Sequence, residues 1–126
     1  MNLPDNLLYS KEHEWVLIEG DTATVGVTDF AQSELGDIVY VEVDKLDERI
    51  EANEIFGTIE AVKTVSDLFS PISGTIISTN EDLESSPEKI NESPYEQGWI
   101  VKIKLDDNCD TSTLLDTKAY SEYIGA

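Results

Sequence analysis

Gly57-Thr58-Ile59-Glu60-Ala61-Val62-Lys63-Thr64-Val65-Ser66-Asp67, followed by Phe69-Ser70-Pro71-Ile72-Ser73-Gly74-Thr75-Ile76, is the stretch on which the fold turns. The apolar residues on either side of Lys63 read as short strands, which places the lysine near the tip of a tight hairpin. A lone lysine there neither builds a core nor, by itself, supplies catalysis. It can carry something.

Working outward, other segments alternate in the strand manner. Trp15 and Leu17 oppose Val16 and Ile18, and Gly20-Asp21 then turns the chain into a row of Ala23, Val25 and Val27. Val39, Val41 and Val43 form a second row, with Tyr40 and Glu42 opposite. Trp99, Val101, Ile103 and Leu105 face one way while Lys102 and Lys104 face the other, the pattern of a half-buried strand. Ile72, Ile76 and Ile77 are assigned to a strand pair around Gly74. A weak symmetry places one β run, Gly36-Asp37-Ile38-Val39, before the lysine and another, Ser73-Gly74-Thr75-Ile76-Ile77, after it.

Helices are few. Thr28 can cap one that runs through Phe30, Ala31 and Leu35 to Gly36. Ser86-Pro87 suits a helix start of a turn or two before Pro94. Asp116 can cap a final helix with Tyr120, Tyr123 and Ile124 on one face. The expected fold is mostly β: a flattened barrel-sandwich hybrid of two antiparallel sheets with short peripheral helices, including a C-terminal one. The 126 residues are read as one domain, core about 14–105, with a C-terminal helical segment about 111–124.

Composition removes several function classes. Eight basic residues against 27 acidic ones give a net charge of −19, which excludes nucleic acid as a partner and disfavours anionic membrane surfaces. The acids are dispersed, which suits a soluble surface or electrostatic steering onto basic partners. No apolar run is long enough for a membrane span, and Met1-Asn2-Leu3-Pro4-Asp5 has no targeting character, so a cytoplasmic location is expected. Cys109, the single cysteine, permits no internal disulfide, and its acidic neighbours disfavour a reactive thiolate.

Enzyme chemistry finds no constellation. His13, the only histidine, has no nucleophile marked out beside it and reads as a hydrogen-bonded structural residue or a lone base. Metal ligands are lacking, and Asp106-Asp107-Asn108-Cys109-Asp110 has neither the glycine nor the closing glutamate of a calcium loop. Lys63 is unsuited to Schiff-base chemistry, because Glu60 and Asp67 favour its charged form.

The chain resembles the H-protein family of the glycine cleavage system over nearly its whole length. The resemblance rests on Tyr9 with His13-Glu14-Trp15-Val16; Ala23-Thr24-Val25-Gly26-Val27-Thr28-Asp29-Phe30-Ala31-Gln32; Leu35-Gly36-Asp37-Ile38-Val39; and Phe56-Gly57 through Val62-Lys63 with Ser66-Asp67. Ser70-Pro71-Ile72-Ser73-Gly74, Asn91-Glu92-Ser93-Pro94-Tyr95 and Gly98-Trp99-Ile100-Val101-Lys102-Ile103 complete it. The family pattern around the lysine is Glu-Ser-Val-Lys-Ala; here it is Glu60-Ala61-Val62-Lys63-Thr64.

The resemblance implies a carrier, not an enzyme, with lipoate in amide linkage on Lys63. Such a carrier takes the aminomethyl group of glycine from a pyridoxal-phosphate glycine decarboxylase to a tetrahydrofolate-dependent aminomethyltransferase. Dihydrolipoyl dehydrogenase then reoxidises it, and a lipoate ligase or lipoyltransferase installs the arm. A monomer is expected. Glu60 and Asp67 are candidates for recognition during lipoylation, or plain solvated acids. Glu14 and His13 are candidates for the cleft that shelters the loaded arm. Glu14 would pair with the cargo ammonium, unless it is only a surface carboxylate at a strand start. A lipoate relay to other lipoyl-dependent enzymes, or an acidic β interaction module with Lys63 unmodified, remain as alternatives.

Overall fold

A computed structural model describes residues 2–107 and 109–125. A six-stranded antiparallel sheet is ordered β1 (Leu8–Tyr9), β2 (Glu14–Glu19), β3 (Thr22–Val27), β9 (Val101–Leu105), β8 (Gly74–Thr79), β5 (Arg49–Ile50). A three-stranded sheet comprises β4 (Ile38–Val43), β6 (Ile55–Ala61) and β7 (Val65–Phe69), in that order. Four short helices complete it: α1 (Asp29–Leu35), α2 (Asp82–Ser85), α3 (Lys89–Glu92) and α4 (Thr117–Ile124). The two antiparallel sheets and the C-terminal helix are as expected, but among the described residues they are not hydrogen-bonded into a closed barrel. No helix among these residues is long and apolar enough to cross a membrane.

The main core lies between the sheets. Ala23, Val25, Val27, Ile76, Val101 and Ile103 of the larger sheet meet Ile38, Phe56, Ile59 and Leu68 of the smaller one. Burial of these side chains is the dominant stabilising term, because each removes its apolar surface from water. A second cluster lies on the other side, where Leu7, Tyr9, Trp15 and Tyr120 pack with Trp99 and Tyr95. There α4 closes against β1, and the rings of Tyr9 and Tyr120 stack at 4.7 Å.

Several local readings differ from the sequence pattern. Val39 does not share a face with Val41 and Val43. A bulge between Ile38 and Tyr40 inserts one residue and leaves Val39 51% exposed. Trp99 packs in the second cluster, whereas Ile100 joins Val101 and Ile103 in the main one, because strand alternation begins only at Val101. Ser86 and Pro87 stand before a helix that starts at Lys89, with no side-chain cap, and the unforeseen α2 precedes them. Ile76 and Ile77 lie in β8 as expected but Ile72 lies outside the strands, and the two β runs flanking the lysine enter different sheets.

Candidate functional site

β6 and β7 form the hairpin, with Val62-Lys63-Thr64 as its tip. Ala61 N–H donates to the Thr64 carbonyl at 2.8 Å, which closes the turn. A second bond, from Val62 N–H to the Asp37 carbonyl at 3.0 Å, ties the tip to the end of α1. That end is itself fixed by Asn91. Its amide donates to the Gly36 carbonyl at 2.8 Å and to Gln32 Oε1 at 3.0 Å, and its oxygen accepts from Ile38 N–H at 2.9 Å. The tip is therefore held by backbone bonds and a half-buried amide while its side chains stand in solvent: Val62 is 76% exposed, and Lys63 and Thr64 are exposed too.

The Lys63 stem runs along Gly36. A Cβ built at Gly36 would lie 3.2 Å from Lys63 Cε and 3.8 Å from Nζ, and Gly36 has φ +84°, a conformation that favours glycine. Glycine thus serves twice, ending α1 and leaving a path for the lysine.

Beyond α1 lies a cavity of about 370 Å³. Its walls are the 12–14 segment, the α1 residues Phe30, Ala31, Glu34 and Leu35, and Ile59, Ser66, Asp67 and Leu68 of the hairpin. Glu14, His13 and Asp67 meet there, although 53 residues of chain separate Glu14 from Asp67. Glu60 does not join them. It sits on the outer face of the small sheet between Tyr40 and Val65, and Asp67 is paired with Thr58 at the cavity rim.

Glu14 is not a surface carboxylate: it is only 2% exposed. Burial is the largest influence and raises its pKa to about 8 from an ordinary value near 4.5; the Ser10 hydroxyl and the Phe69 backbone pull the other way, and Glu12 adds to the rise. Among the described residues no cation pairs with it; the ion pairs present are Arg49 with Glu51 and Asp106, and Lys89 with Asp82. Ser10 Oγ donates to Glu14 Oε1 at 2.6 Å.

His13 combines structure and site. Its φ of +70° turns the backbone so that its ring faces Phe30, Tyr120 and Tyr123, and Nδ1 lies 2.9 Å from the Tyr120 hydroxyl. That hydroxyl also bonds Thr28 Oγ1 at 2.8 Å, and Thr28 caps α1 by accepting from Ala31 N–H at 3.1 Å. One buried phenol thereby joins two walls of the cavity. Burial pushes the His13 pKa below its ordinary value, against the opposing charges of Glu12 and Glu34. In the acidic 106–110 segment, Asp106 is bound to Arg49, Asp110 accepts from Ser112 N–H, and Asn108 lies outside the described residues. Among the described residues no cluster could hold a metal.

Ser10 and Asn91 are the site residues that sequence reasoning missed. Asn91 was visible only within a motif, and Ser10 had no signal before the fold brought its hydroxyl onto Glu14.

Comparison with known proteins gives one answer. The model of the glycine cleavage H-protein family matches residues 7–126. The glycine cleavage system H protein of Staphylococcus carnosus is 54% identical over 125 residues, 99% of each chain, and that of Staphylococcus saprophyticus is 52% identical over the same shares. The crystal structure of a glycine cleavage system H protein from Mycobacterium marinum superposes with a TM-score of 0.90 at 33% identity, covering 98% of this chain and 100% of that one. The chain belongs to the glycine cleavage H-protein family.

Proposed function

We propose that this protein is the lipoyl-carrying shuttle of its glycine cleavage system, with lipoate in amide linkage on Lys63. It is read as a monomeric carrier of one domain, residues 1–126, acting in the cytoplasm. Lipoate supplies a sulfur that takes up an aminomethyl group, chemistry that belongs to the cofactor and the partner enzymes. The chain's own residues do the rest. The Val62–Thr64 tip presents the amine to a lipoate ligase or lipoyltransferase, with Glu60 and Asp67 beside it as recognition groups. Gly36 leaves the stem a path along α1, and the cavity floored by Glu14 takes the loaded end, where carboxylate pairs with ammonium and water is excluded. The partners are glycine decarboxylase, the folate-dependent aminomethyltransferase and dihydrolipoyl dehydrogenase. An acidic surface suits brief, steered encounters with them.

The observation that carries this reading is the anchored hairpin with its exposed lysine lying over Gly36 beside a cavity with a buried carboxyl that has no ion-pair partner among the described residues. Mass spectrometry of protein purified from its own cells is expected to find one lipoyl increment, located at Lys63. Lys63→Arg should fold normally, carry no increment and support no glycine cleavage with the three partner enzymes. A fully active Lys63→Arg variant refutes the reading.

A further inference from the structure

Glu14 is the residue of the cavity whose placement asks most of its surroundings, and the help comes from one side chain. Ser10 Oγ donates to Glu14 Oε1 at 2.6 Å and accepts from Glu14 N–H at 3.0 Å, while Ser10 N–H donates to the Glu14 carbonyl at 2.9 Å. The Ser10 carbonyl also takes His13 N–H at 3.1 Å, which closes the loop that sets His13 at positive φ. Ser10 is therefore bonded to both the backbone and the carboxyl of Glu14, and among the described residues no other side chain is hydrogen-bonded to that carboxyl.

The groups facing Glu14 from neighbouring elements do not replace it. Glu12 and His13 belong to its own loop, Glu34 to α1, Asp67 to β7, and Tyr120 to α4. Three are acids and supply neither a donor nor a counter-charge, with Glu12 opposing ionisation of Glu14; the Tyr120 hydroxyl is engaged with His13 and Thr28, and the Phe69 backbone bond is the one aid besides Ser10. A carboxylate formed there has one side-chain donor.

We infer that Ser10 is the positioning residue for the cargo ammonium: it fixes the Glu14 carboxyl towards the cavity and stabilises its ionised form when the aminomethyl arm docks. The inference rests on the cargo reading of the cavity. Docking then has a definite proton balance. The Glu14 O–H bond breaks, its proton leaves to water, and the carboxylate pairs with the ammonium while keeping the Ser10 bond.

Two measurements separate this from a purely structural role. In lipoate-free protein, the Glu14 carboxyl is followed by carbon-13 NMR against pH. Ser10→Ala should raise its titration midpoint by about one pH unit, since a donor to the charged form is lost. Ser10→Cys, near-isosteric but a weak donor, should move it the same way and guards against misfolding of the alanine variant. Ser10→Thr should restore the original midpoint; Ser10 lines a second cavity of about 450 Å³ with room for the added methyl. In lipoylated protein loaded with the aminomethyl group, water slowly yields free thiol, formaldehyde and ammonium. Release without partner enzymes should be about ten-fold faster in Ser10→Ala. Glu14→Gln should abolish the shelter, and adding Ser10→Ala to it should change nothing further. An unmoved midpoint in both Ser10→Ala and Ser10→Cys overturns the role of Ser10. So does loss of shelter in Glu14→Gln but not in Ser10→Ala. If Glu14→Gln leaves release unchanged, the cargo reading falls and takes the inference with it.

Discussion

Glu14→Gln should make the lipoate-free protein more stable with rising pH, relative to the parent. Burial holds the Glu14 pKa at about 8, against an ordinary value near 4.5 for the unfolded chain. Below the unfolded value both states are protonated and Glu14 makes no demand on folding. Between the two values the unfolded chain gives up its proton and the folded one keeps it, so stability falls as pH rises. At pH 7 this spans 2.5 pH units, and at about 1.4 kcal/mol per unit the loss is about 3 kcal/mol. Above pH 8 both states are ionised and the loss levels off. Glutamine has the shape of the protonated acid and does not titrate; any mismatch of its amide with Ser10 is constant with pH and leaves the slope untouched. Urea denaturation of parent and variant at half-unit steps from pH 4.5 to 8.5 gives the stability difference directly. It should climb by about 3 kcal/mol between pH 4.5 and 7 and then flatten near 8. A difference constant to within about 1 kcal/mol across that range would show that Glu14 ionises normally, and the account of the cavity floor would be wrong.

Tyr120→Phe removes the hydroxyl shared by His13 and Thr28, and should cost about 1–2 kcal/mol in denaturant unfolding while α4 still packs. In the parent protein, NMR titration should place His13 below the ordinary histidine value, since its burial is the largest influence. Gly57→Ala puts a Cβ onto the Glu42 carbonyl oxygen across β4 and β6; a fall of about 1–3 kcal/mol is expected, and an unchanged melting temperature would contradict the pairing. Asn91→Ala leaves the Gly36 carbonyl and the Ile38 N–H unpaired and loosens the anchor of the lysine hairpin; hydrogen exchange at Val62 N–H should quicken before global unfolding.

The fold was legible wherever one-sided burial imposes a period of two. Ala23 and Val25 declare their strand against half-exposed Thr22 and Thr24, and Val101 and Ile103 theirs against Lys102 and Lys104. Caps at Thr28 and Asp116 were legible because their side chains do local work within three residues, accepting from Ala31 and Ala119. Bulges were not. The extra residue between Ile38 and Tyr40 is set by the partner strand, and nothing in Ile38-Val39-Tyr40 distinguishes the residue turned to solvent. The lysine tip could be read from local pattern, whereas the cavity could not. Glu14 sits among Glu12 and Lys11 in a segment that looks solvated, and only the return of α1 and the β6–β7 hairpin over it removes the water.

If the cavity is the proposed shelter, that burial bears on how it can be empty without being blocked. A carboxylate exposed at the cavity floor, on a chain of net charge −19, would hold whatever small cation came by. A carboxyl kept protonated at rest does not, because its charge appears only when a cation settles deeply enough to stabilise it. The stability lost by burying Glu14 is then partly returned on docking, since a positive charge beside it lowers its pKa and removes part of the penalty. Linkage makes the relation reciprocal: if docking drives the proton off, removing protons must favour docking. If the cavity shelters the arm as proposed, docking should strengthen as pH rises towards 8, for as long as the cargo amine stays protonated, and the two pH dependences, of folding and of docking, should carry opposite signs because one carboxyl governs both.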